Sequence, residues 1–141
     1  MKRSSPIVRR TRLRPLSPKR AAGRDAWRHI SALVQAREGS HCARCNTHAP
    51  IGYGAPHHRR KKGQGGADDA MNLVWCCTSC NTGWIEENPA IATRMGWTVP
   101  AGVTPQEWPV WTTRYGVEGW HMPTQFGWEK AVPHPRQTEA A

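Results

Sequence analysis

Two short cysteine pairs, Cys42-Ala-Arg-Cys45 and Cys77-Thr-Ser-Cys80, constrain this chain more than any other feature. Each C-x-x-C turn presents two thiolates on one side, and two such turns complete the tetrahedral shell that zinc prefers. Composition explains why a staple is needed. Only 38% of the 141 residues are hydrophobic, while 13 Gly and 12 Pro interrupt regular structure. A core that thin gains much of its folding free energy from a bound metal. Four thiolates leave zinc no open position, so the expected metal is structural. Disulfides or buried free cysteines are the competing reading. They suit an oxidising compartment, whereas the Arg-rich N-terminus has no apolar signal segment behind it. The expected location is therefore the reducing cytoplasm, with no membrane partner, because no apolar run reaches about 18 residues. Cys76 is the spare cysteine: it could replace Cys77 in a less usual C-x-x-x-C turn, but its apolar neighbours assign it to a buried strand position.

The formal charge of +10 and a pI near 10.2 point to a polyanionic partner, most simply nucleic acid. The charge is concentrated early. Residues 1–23 hold Lys2, Arg3, Arg9, Arg10, Arg12, Arg14, Lys19 and Arg20 without one acid. Pro6, Pro15 and Pro18 oppose a continuous helix there, so this stretch reads as a disordered basic arm able to lie along phosphates. A tail that serves only solubility, or that imitates a transit peptide, is the bland alternative. Next, Trp27, Ile30, Leu33 and Val34 recur at helical spacing, with Asp25 near the start and Gly39 as terminator, predicting a helix over about 25–38. Ile51 and Tyr53 alternate, and Leu73-Val74-Trp75-Cys76 is an apolar run, predicting two short strands joined by a loop at about 59–71. Trp84 to Met95 reads as helical, with a second start at Asn88-Pro89 and a stop at Gly96. Farther on, Val110–Tyr115 and Gly119–Phe126 read as a Trp-rich hairpin that thickens the core.

The segment between the cysteine pairs carries the chemistry. It reads Pro56-His57-His58-Arg59-Arg60-Lys61-Lys62-Gly63, then Gly65-Gly66, then Asn72-Leu73-Val74-Trp75-Cys76-Cys77. Alone, a His-His pair is more often a surface feature, and a run of Arg and Lys a phosphate patch. Together, between two knuckles, they resemble the HNH endonuclease family over residues 42–81. The helix upstream and the Gly83-Trp84 and Pro89-Ala90 that follow resemble its small phage-encoded members.

The resemblance implies a small α+β fold, a ββα-metal (HNH, treble-clef-like) module stapled by zinc, with the upstream helix and the C-terminal hairpin added. It makes 24–96 a nuclease domain, which the reading along the chain flanks with a 1–23 arm, a 97–128 packed extension and a 129–141 tail. It also implies metal-dependent hydrolysis of DNA that leaves 3′-hydroxyl and 5′-phosphate ends. His58 becomes the general base on water, and His57 a ligand of a catalytic Mg²⁺ or Mn²⁺. Asn72 bridges the strands and orients His58, while Arg59, Arg60, Lys61 and Lys62 hold phosphates. The host cell of a phage becomes the location, and phage packaging proteins or a second copy of the chain join DNA as partners.

One letter departs from the pattern. After Cys80 the family usually has His as second metal ligand, and Asn81 stands here. Asn at that place is used by some members, including the nuclease domain of RNA-guided effectors, and an amide oxygen suits magnesium. A gapless match through Gly83-Trp84 instead puts Thr82 at the ligand position, with Glu86 one turn on. A zinc-stabilised DNA-binding module without catalysis is the reading from another class. His58→Ala separates the two, since it should stop cutting but leave binding and its salt dependence intact.

Overall fold

The computed structural model describes residues 15–139; the rest of the basic arm, residues 1–14, lies outside them. Within them the chain is a mixed α+β protein with four α-helices and two small antiparallel sheets.

Helix α1 spans Pro18–Arg37, seven residues earlier than the predicted start. The reason is local. Ser17 is extended and its hydroxyl accepts from the Arg20 amide, and Pro18 at the first helical position loses no hydrogen bond there. Residues 18–23 therefore belong to the helix, not to a disordered arm. The second half of α1 packs Trp27, Ile30, Leu33 and Val34 against Leu73 and Trp75. Its end turns at Gly39 and Ser40, both left-handed (φ 58° and 59°).

The first sheet is a hairpin of β1 (Gly54–His58) and β2 (Leu73–Cys77), in register His58 to Leu73 and Gly54 to Cys77. The predicted strand about Ile51 and Tyr53 lies too early. Both side chains are exposed, and the chain there turns on Gly52 (φ 94°) before pairing begins. Gly54 starts the strand because a Cβ would meet the Trp75 indole at 2.5 Å, and that indole donates to the Ala49 carbonyl.

Past β2 the chain makes a π-helical turn, Ser79–Trp84, which runs into α2 (Ile85–Glu87). The break at Asn88 and the new start α3 (Pro89–Arg94) match the second start read from Asn-Pro. Asn88 does not cap it, however; its side-chain amide donates back to the Trp84 carbonyl.

The second sheet orders β3 (Val110–Arg114), β4 (Val117–Pro123) and β5 (Trp128–Lys130). Tyr115 and Gly116, both at positive φ, form the two-residue turn that suits strand twist. The stretch read as a loose tail is thus in part structured: it completes β5 and forms α4 (Pro135–Thr138), capped by His134. Gln137 of α4 is buried and donates to the Arg94 and Pro109 carbonyls.

The two sheets share one core. Val110 and Trp128 of the second pack with Cys42, Val74, Cys76, Cys80, Ile85, Ala92 and Trp97. A buried charge cluster reinforces the join. Glu38, at the end of α1, accepts from Arg37, Arg114 and the Trp128 indole, while Arg37 also donates to the Ala70, Leu73 and Thr124 carbonyls. Among the described residues no helix is long and apolar enough to cross a membrane.

Candidate functional site

The sulfurs of Cys42, Cys45, Cys77 and Cys80 lie within 4.8 Å of one another. Around a zinc at Zn–S near 2.3 Å, tetrahedral sulfurs stand about 3.8 Å apart, and Cys45 and Cys77 stand at 3.8 Å. The donor set fits zinc. The first knuckle is closed by the Asn46 amide donating to the Cys42 carbonyl, and the Ala43 amide donates to Trp75, so the turn is fastened to β2. Thr47 Oγ1 and Arg44 Nη1 lie 3.3 and 3.5 Å from Cys45 and Cys80 sulfurs. Cys76 is buried in β2 and outside the set. Its hydrogen bond to Cys42 keeps its own proton on and holds the Cys42 thiol down to about 3.

At the end of β1 adjacent side chains point to opposite faces, as a strand requires. His57 points inward and is 5% exposed. Its Nε2 lies 2.8 Å from the Trp97 carbonyl and its Nδ1 2.8 Å from Asn81 Oδ1. A carbonyl only accepts, so Nε2 carries the proton; in that neutral ring Nδ1 and Asn81 Oδ1 face each other as two lone-pair donors with no proton between them. Burial pushes the His57 pKa below its ordinary value, outweighing the Trp97 carbonyl, the Asn81 amide oxygen and the charge of Glu86, which all favour the charged ring. The ring is neutral at neutral pH. The π-helical turn puts Asn81 in this place, because such a turn takes one residue more than an α-turn. Thr82, the other candidate at that position, donates its hydroxyl to the Thr78 carbonyl instead.

His58 points outward. Its Nε2 is 2.7 Å from Asp68 Oδ1, and its ring stacks on Trp27 with centroids 5.6 Å apart and planes within 5°. Lys62 closes the group: its ammonium bonds the other Asp68 oxygen at 2.8 Å and sits 5.2 Å above the Trp27 ring. Burial works to raise the Asp68 pKa, but hydrogen bonds from Lys62 and His58 outweigh it and hold the carboxyl below its usual range. Sequence reasoning missed Asp68, which lies within the predicted 59–71 loop, and gave Trp27 only as part of the apolar stripe of the helix.

Asn72 is wholly buried and bridges as expected, but not to His58 itself. Its Oδ1 accepts from the Arg60 amide, and its Nδ2 donates to the Arg60 and Ala67 carbonyls. It therefore holds the loop that carries Asp68, the partner of His58. Gly66 permits this closure, since a Cβ there would lie 1.8 Å from the Arg60 carbonyl oxygen.

The four cations read as phosphate contacts divide. Arg59 is corrected: it is fully buried and donates to the carbonyls of Met71, Gly96, Pro105 and Trp108. It continues the inward face begun by His57, one step past the strand, and cannot reach a phosphate. Burial, helped by nearby Arg37, pushes its pKa down to about 9, which leaves it charged at neutral pH. Arg60 remains half-buried, with its guanidinium bonded to the Gln64 carbonyl, and Lys61 and Lys62 are exposed. Lys61 pairs with Glu86 at 2.8 Å and Lys62 with Asp68.

Comparison of the chain with protein-family models, with curated proteins and with solved structures gave no match.

Proposed function

We propose that this protein is a metal-dependent DNA endonuclease of the HNH type, with His58 as its general base. The observation that carries the reading is the His58–Asp68 pair at the loop end of a hairpin whose other end carries the zinc-fitting cysteines. A histidine whose Nε2–H is directed at a carboxylate keeps Nδ1 in the unprotonated, proton-accepting form, and the carboxylate stabilises the imidazolium that results. Trp27 fixes the plane of the ring. Asp68 is therefore a positioning residue, acting through His58.

The inward side supplies a fitting place for the second metal. His57 Nδ1 and Asn81 Oδ1 converge at 2.8 Å, close to the edge of about 2.9 Å between neighbouring ligands of octahedral magnesium. Glu86, near enough for its charge to act on His57, is the reserve ligand. A divalent cation held there would supply positive charge for the scissile phosphate and the leaving oxygen. Arg60, Lys61 and Lys62 hold neighbouring phosphates; the exposed pairs of the two lysines with Glu86 and Asp68 are weak enough to yield to DNA.

The ββα-metal arrangement of hairpin, cysteine turn and helix belongs to the same proposal, as do a phage origin and phage packaging proteins or a second copy as further partners. One observation favours the binding-module reading instead: His57 is buried on the face of β1 opposite His58, so a cation held there stands away from the phosphate that His58 would serve. The test is relaxation of supercoiled plasmid with Mg²⁺ and with Mn²⁺, beside DNA binding. His58→Ala should abolish cutting at unchanged affinity. A wild-type protein that holds zinc, is folded, binds DNA and cuts with neither metal would leave only the binding module.

A further inference from the structure

Among the described residues nothing buries the first half of α1. From Pro15 to Ala26 every side chain is exposed except half-buried Ala21, and the apolar contacts begin at Trp27. A helix projecting into water usually mixes charges, but this one carries Lys19, Arg20, Arg24 and Arg28 against the single acid Asp25. Like charges four residues apart oppose a helix, so Arg20, Arg24 and Arg28 weigh against the segment that bears them. Asp25 offsets little: it lies 4.0 Å from Arg24 and 3.7 Å from Arg28, and all three side chains are more than half exposed.

The arrangement has a direction. Residues four apart stand about 6 Å apart along a helix, and Arg20, Arg24 and Trp27 occupy positions i, i+4 and i+7, one side of α1. Trp27 is the residue stacked on His58. A row of guanidinium groups thus leads along the helix toward the histidine.

We infer that the free half of α1 is a rail for the phosphates of duplex DNA, carrying one backbone toward His58. The proposal rests on the nucleic-acid reading above but not on cutting. It changes the role of residues 18–23 from a flexible arm to a rigid contact whose register is set by Trp27. Phosphates would relieve the repulsion along the row, so the ligand stabilises the helix as the helix holds the ligand.

The test is a salt titration of binding to a short mixed-sequence duplex, without added divalent metal. Each phosphate contact contributes about 0.9 to the slope of log affinity against log salt. Replacing Arg20, Arg24 and Arg28 together with Gln, a comparable helix former, should lower the slope by about 2.7 with helix content unchanged. Asp25→Asn should act in the opposite sense and tighten binding. If the triple variant keeps the wild-type slope and affinity, the rail is wrong while the DNA reading stands. If the wild-type protein does not bind the duplex at all, both fall.

Discussion

The two faces of the β1–β2 hairpin treat the same kinds of residue in opposite ways. Inward, His57 and Arg59 are buried and bonded to main-chain carbonyls of segments that come forty residues or so later, Trp97 for one and Gly96, Pro105 and Trp108 for the other. Outward, His58 and Lys62 meet around Asp68 and Trp27 within reach of solvent. The inward arginine holds the fold together, and the inward histidine, tied to the Trp97 carbonyl by Nε2, is the proposed metal ligand. The outward pair is free to meet a substrate. Residue type does not distinguish the roles; the strand's alternation does.

That contrast can be broken from either side. Removing zinc should have the largest effect, because structural zinc contributes on the order of 10 kcal/mol or more to small domains. Chelation should therefore unfold the hairpin and its surroundings, read as loss of near-ultraviolet dichroism from the buried tryptophans. Arg59→Met comes next. It strands four carbonyl acceptors in the interior, and a loss of about 3 kcal/mol or more is expected in denaturant unfolding. An unchanged midpoint would mean that Arg59 is not the interior tie its contacts suggest.

Acid should weaken the inward face further. His57 is depressed by burial, so its unfolded form takes up a proton first as pH falls through its ordinary value of 6.5. Stability from its neutral form is fully present above that value and declines as pH drops toward the folded pKa. The decline should be smaller in His57→Gln, with zinc retained in both proteins. On the outward face, Asp68→Asn should leave the unfolding midpoint within about 0.5 kcal/mol, as exposed pairs do. If the protein cuts DNA, the same change should lower kcat by tenfold or more with KM hardly moved, and Asp68→Glu should restore part of it. A matched rise in KM would assign Asp68 to binding rather than to positioning His58. The smallest effect is expected from Lys61→Gln, which breaks only the exposed pair with Glu86.

Cysteine spacing fixes which sulfurs meet because a C-x-x-C turn is a local object, and the four thiols converge as read. Asn81 was legible for a similar reason, standing next to a ligand cysteine. Arg59 was not. In a run of His-His-Arg-Arg-Lys-Lys each cation looks alike, and the signal that separates them is period two carried past the end of β1, which places Arg59 with His57 and Arg60 with His58. The strand at Ile51 failed because alternation over two residues is satisfied equally by an exposed turn. Helix α1 began earlier than its apolar stripe because Ser17-Pro18 starts a helix without needing a buried face. Residues 18–23 and 129–138 were misjudged for want of apolar density, whereas Trp128, read as part of the packed extension, finds its partner in Glu38, ninety residues away.

That last contact governs how the molecule can be cut and moved. Glu38 is buried with Arg37, Arg114 and Trp128 around it, and Thr112 and Arg114 both donate to the carbonyl of Ala43 inside the first knuckle. A fragment that stops at Gly96 keeps every cysteine and both histidines, yet it loses three of the groups that neutralise or cap these positions. The motif is continuous in sequence but is not an autonomous cassette. The smallest portion that could be transplanted with its contacts intact reaches from the start of α1 to the end of the second sheet, and shortening it from the C-terminal side should scatter the knuckle before it touches the outward face of the hairpin.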